Sequence, residues 1–163
     1  MAESKNIFLK RQVAADNIDS LNKTGVAEIK LRNGDMVAIG QKEKGIYKLS
    51  APTGTTKRFG VVYNADVVTE GDGKYRGLSD DPRDLVFEAG TVVNFYIPKI
   101  EDEVAVTEVS GTETGATHLV ADGVGYKYAT AAGTSIAYEI EGVGFVSVGN
   151  ERIPTVKAVC VNV

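Results

Sequence analysis

The 163-residue chain has one cysteine, one histidine, four prolines and no tryptophan, and each scarcity removes a class of explanation. Cys160 alone can form no intrachain disulfide, and its place in Val159-Cys160-Val161 suits a small buried or half-buried hydrophobe. His118 has no second histidine or neighbouring cysteine, so no ordinary zinc-ligand spacing exists; the residues predict no metal and no cofactor. Lys and Arg number 18 against 22 Asp and Glu, a net charge of −4. Clustered cations are what a phosphate backbone needs, so direct nucleic-acid binding is not expected. No apolar run approaches the roughly 18 residues of a membrane-spanning helix. The opening MAESKNIFLKRQ lacks the continuous apolar segment of a secretory signal. A soluble protein made in a reducing cytoplasm is expected. No serine sits in a G-x-S-x-G elbow, and no helical pattern follows Gly71-Asp72-Gly73 or Gly123-Val124-Gly125 to offer a phosphate its N-terminus.

Glycine is what the chain has in number, 18 of them, set between short runs of β-branched and aromatic residues. That is the composition of an all-β domain with frequent turns. The densest stretch runs from Asp84 to Ser110. Residues 91–97 read as a strand, Pro98 as a connection and 103–109 as the next strand. A bulge or strand end is expected near Thr107, where Val106 and Val109 break period two. Earlier, polar and apolar residues alternate over 26–32, Asn33-Gly34 follows, and Met36 to Ile39 returns. This predicts a hairpin over 26–39 with a type I′ turn, which needs positive φ at both central residues. Further strands are expected at 46–49, 59–63, 66–69, 117–121, 135–140, 145–148 and 155–163. Gly71-Asp72-Gly73 reads as a turn leading to Tyr75, and Ser79-Asp80-Asp81-Pro82 as the entry to one helical turn. Both faces of the last strand are largely apolar, which places it centrally in a sheet or against another subunit. Together these signals predict a single antiparallel β-sandwich or β-barrel domain over 25–163, preceded by a short irregular N-terminal arm over 1–24.

Within that arm, Ile7-Phe8-Leu9 is an apolar triplet flanked by Lys5, Lys10 and Arg11. Val13 to Leu21 could form one or two weak helical turns, since Asp16, Asn17, Asp19 and Ser20 compete with the helical backbone. The arm reads either as a frayed terminus or as a segment that docks on a partner. In the second reading the triplet enters a groove while the three cations meet acidic groups. Glu101-Asp102-Glu103 lacks the alternating spacing of a calcium loop and reads as a solvated turn, as does Asp80-Asp81. The seven tyrosines spread through the strands as packing residues; a small-molecule or glycan cleft would lie near Tyr126 and Tyr128. No catalytic residue is assigned, because an enzyme using Asp and Glu needs an acid pair placed across a cleft.

The polar arm at 1–24, the Asn33-Gly34 turn and the run Phe87-Glu88-Ala89-Gly90-Thr91-Val92-Val93 carry a resemblance. In them the chain resembles the head decoration (cement or auxiliary capsid) proteins and head-fibre base proteins of tailed bacteriophages. The resemblance implies a structural virion protein, not an enzyme, that binds the outer surface of an assembled capsid. Its partner would be the major capsid protein lattice. It would act as a homo-oligomer, a trimer, on the capsid exterior after synthesis in the host cytoplasm, and could display a further domain or fibre. The alternative is a β-sandwich binding module for a glycan or other small ligand.

Overall fold

The structure, a computed structural model, describes residues 6–64, 83 and 85–163. Among them lie β1 (Phe8–Gln12), β2 (Asn22–Ala27), β3 (Met36–Glu43), β4 (Ile46–Ser50), β5 (Phe59–Val62) and β6 (Val92–Tyr96). They are followed by β7 (Glu103–Val106), β8 (His118–Asp122), β9 (Gly125–Ala129), β10 (Ala137–Val148) and β11 (Glu151–Asn162). Two 3-10 turns, Ala14–Asp16 and Asp19–Leu21, join β1 to β2. The fold is all-β in two packed layers. One is a closed barrel in the order β2-β4-β3-β5-β6; the other is a six-stranded sheet in the order β1-β7-β11-β10-β8-β9. Among the strands named above every pairing is antiparallel except β2 with β4, which run parallel through Gly25↔Tyr47, Val26↔Lys48 and Ala27↔Leu49.

Two cores hold the layers. Ala27, Leu31, Val37, Leu49, Val93 and Phe95 fill the barrel. A second cluster joins Met36, Phe59, Val61 and Tyr96 of the barrel wall to Val104, Val106, Leu119, Tyr138, Ala158 and Cys160 of the sheet. All four residues of β5 are therefore buried, since one face looks into the barrel and the other onto the sheet. β11 lies centrally between β7 and β10, as its two apolar faces suggest. Cys160 is fully buried there, and burial pushes its thiol up to about 12.

Several local expectations change. The hairpin over 26–39 does not form: β2 pairs with β4 and β6, and β3 with β4 and β5. Residues 28–35 instead cross the end of the barrel. There Leu31 exchanges backbone hydrogen bonds with Phe87 and is fully buried. Burying Leu31 in the barrel mouth is worth about 1.5–3 kcal/mol, which outweighs continuing an exposed ladder. Asn33-Gly34 still turns the chain, with Asp35 N–H donating to Arg32 O at 3.1 Å, but only Gly34 has positive φ (+90°), so it is a type II turn. The I′ geometry is at Lys44-Gly45, with φ of 53° and 83°, closing the β3–β4 hairpin. Residues 135–140 and 145–148 are not separate strands. β10 starts at Ala137 and runs on through 145–148, with a bulge at Glu141 where the register with β11 shifts between Ile140 and Gly142. The irregularity expected near Thr107 is a strand end, since β7 stops at Val106.

Among the described residues, the N-terminal segment is not irregular throughout. β1 pairs with β7, Phe8 opposite Val106, and Ile7 and Phe8 are buried in this chain's own core. Gly34 makes room for Phe8, since a Cβ at that glycine would overlap the Phe8 ring carbons. The expected strand at 66–69, the Gly71–Gly73 turn, Tyr75 and the Ser79–Pro82 helix start, with Asp80-Asp81, lie outside the described residues, as does Lys5.

Candidate functional site

Where the barrel meets the sheet, the surface opens into a cleft of about 750 Å³. The barrel supplies one wall through the crossing segment, with Lys30, Arg32 and Asp35. The sheet supplies the other, through Thr107–Ser110 after β7 and the β8–β9 turn with Asp122, Val124 and Tyr126. The walls are pinned by hydrogen bonds across the seam. Met36 N–H donates to Val124 O at 2.8 Å, and the buried Tyr126 hydroxyl donates to Gly34 O at 2.8 Å. On the sheet side Ser110 N–H donates to Tyr126 O and Tyr128 N–H to Ser110 O, both at 2.9 Å. Ser110 Oγ also donates to Asp122 Oδ2 at 2.9 Å. Asn6 Oδ1 accepts from the N–H groups of Thr107 (2.9 Å) and Glu108 (3.0 Å), so the start of the chain shapes this wall.

Asp35 is the buried polar group of the cleft, 7 % exposed. Its Oδ2 accepts the Arg32 N–H at 2.8 Å. Loss of water raises its carboxyl to about 7; the Arg32 N–H and the Arg32 charge oppose that rise without cancelling it. Near neutrality this carboxyl is divided between the form that donates a hydrogen bond and the form that only accepts. Burial likewise raises the Tyr126 phenol, which stays neutral. Lys30 reaches Glu88 at 3.8 Å on the outer rim. The cleft thus offers both signs of charge around a buried, protonatable floor.

The residues singled out from the sequence scatter. Ile7 and Phe8 are core and Leu9 is half-buried. Lys10 Nζ pairs with Asp16 Oδ1 at 2.7 Å and lies 4.0 Å from the centre of the Tyr63 ring. Arg11 faces Glu103 at 3.9 Å on the β1 edge. The apolar anchor is therefore used inside the molecule, because β7 needs a partner strand and Phe8 fills the second core. Glu101-Asp102-Glu103 is a turn as expected, but one solvated chiefly at Glu101. Asp102 is buried, and its carboxylate accepts from the N–H groups of Ala14 and Lys99, both at 2.8 Å. Burial still raises its carboxyl above the ordinary range. Among the described residues no three His, Cys, Asp or Glu side chains gather as a metal site. His118 opens β8, its Nδ1 2.7 Å from Thr117 Oγ1. Tyr126 lies at the cleft base, while Tyr128 packs partly against the second core. Asp35 was missed because its only signal is an acid placed between a turn and an apolar strand. No protein-family model matches the chain, and comparison with curated proteins and with solved structures gives no match.

Proposed function

We propose that this is a structural virion protein that binds the outer surface of an assembled phage capsid, with the seam cleft as the surface that meets the major capsid protein lattice. The observation that carries this reading is the cleft itself, open and fixed, with Lys30 and Arg32 on one wall and Glu108 and Asp122 on the other. A folded partner presents a loop with both signs of charge, and complementary walls select it and set its register. A polyanion would need walls of one sign. Because barrel and sheet share a core, the walls are preorganised, and binding orders little that is not already ordered. Modest contacts then suffice, since many copies on one lattice gain avidity. Asn6 acts through the wall it holds, and Arg11, paired with Glu103 on the β1 edge, lies outside the cleft.

The test is sedimentation of the purified protein with undecorated heads. Saturable binding at a fixed number of copies per lattice position is expected; a supernatant that keeps all the protein would contradict the reading. The glycan-binding alternative is favoured by one observation, the buried Asp35 carboxyl lining the same cleft as Tyr126 and the Ser110–Asp122 pair, since such groups hydrogen-bond sugar hydroxyls. Titration with a panel of soluble glycans, without heads, separates the two.

A further inference from the structure

The β10–β11 hairpin runs past the rest of its sheet. β8 pairs with β10 only at Ala137–Glu139, and β7 with β11 only at Val156–Val159. Beyond those points the strand segments 142–148 and 151–155 pair only with each other among the described residues. The two outer edges of this extension differ. On the β11 side stands Pro154, opposite Phe145. A proline is tolerated there because its missing N–H falls on the open side, and its ring then blocks any further strand. The β10 side, Gly142-Val143-Gly144-Phe145-Val146-Ser147-Val148, carries neither proline nor charge. That is the composition of an edge open to another strand. Val143 and Phe145 share one face at 68 % and 57 % exposure, and Arg152 stacks 4.1 Å from the centre of the Phe145 ring.

We propose that a second copy of this chain occupies this edge, the two β10 strands pairing antiparallel about a two-fold axis at Gly144. That register sets Val143 opposite Phe145 of the second copy, and Phe145 opposite its Val143, so four exposed apolar side chains cover one another. It also sets the exposed Glu141 opposite Ser147 of the second copy, whose neighbour across the hairpin is Arg152. Unlike charges thus lie two strands apart at both ends of the paired segment, and no like charges face each other at its centre. Gly144, with no side chain, sits on the axis. The contact is isologous, so it closes. With Pro154 on the only other edge of the hairpin, pairing stops at two copies instead of growing into a fibre. The dimer is a different assembly from the trimer that the resemblance implies, and it is independent of what the cleft binds.

Sedimentation equilibrium of the full chain should give twice the 17.3 kDa chain mass. Val143→Lys, at an exposed site, should weaken association at least about tenfold, because a cation on an edge strand opposes pairing. A second variant fixes the register. Glu141→Cys combined with Ser147→Cys should oxidise to a covalent dimer while neither single variant does, and Cys160, buried, does not compete. A wild-type mass of one or three chains, a Val143→Lys protein as tightly dimeric as wild type, or a double-cysteine protein without covalent dimer would each overturn the proposal.

Discussion

A carboxyl that leaves water on folding binds its proton more tightly, and for Asp35 the folded-state value of about 7 lies well above the ordinary 3.8. The folded chain keeps a proton that the unfolded chain releases. This contribution to stability is full below about pH 4 and is lost as pH rises through about 7, on the order of 4 kcal/mol in all. The urea midpoint should fall between pH 5 and pH 8 for wild type and change much less for Asp35→Asn, whose amide oxygen can still accept the Arg32 N–H. At pH 8 the Asp35→Asn variant should be the more stable chain. Parallel pH profiles would remove Asp35 as the source; Lys30, Arg32, Glu108 and Asp122, which line the same cleft, and Asp102, also raised by burial, are common to both proteins. Gly34 is the other sensitive residue, since positive φ and the Phe8 ring both exclude a side chain. Gly34→Ala should cost about 2–5 kcal/mol. Gly54→Ala, in open space, should stay within about 0.5 kcal/mol in the same denaturation series. Asn33-Gly34 was legible as a turn because glycine is required there. Its type was not, because Leu31 and Phe87 decide where the chain goes next.

At the scale of elements, β1 holds the second core together, so deleting residues 1–12 should abolish cooperative unfolding rather than release an inert tail. Phe8→Ala alone should cost about 3–5 kcal/mol by chemical denaturation. A truncated chain that melts like wild type would contradict both the pairing with β7 and the burial of Phe8. Strand composition made β5, β6, β7 and β11 legible, the last from apolar residues on both faces. The I′ turn was hidden because Lys44 occupies a left-handed position that asparagine or glycine would advertise. Lys44→Asn should therefore stabilise the hairpin by about 0.5–1 kcal/mol. The joining of 135–140 to 145–148 was masked by glycines that mark turns elsewhere and here mark a bulged strand.

For the whole molecule, local alternation gives strands but not which strands meet. The parallel β2–β4 pair closes the barrel between residues far apart in the chain, Gly25 with Tyr47, and nothing in either segment announces its partner. The cleft inherits that limit, since Arg32, Asp35, Ser110 and Asp122 come together only when the barrel docks on the sheet. The docking through Met36, Val124, Gly34 and Tyr126 is what turns two layers into one preorganised surface. The most direct test of that surface is a binding isotherm on undecorated heads for wild type and for Lys30→Glu combined with Glu108→Lys, which reverses one charge on each wall. Binding at least about tenfold weaker for the variant, with its circular dichroism spectrum unchanged, is the predicted result, as expected when complementary charges at an interface are reversed. Equal affinity for the two proteins would contradict it.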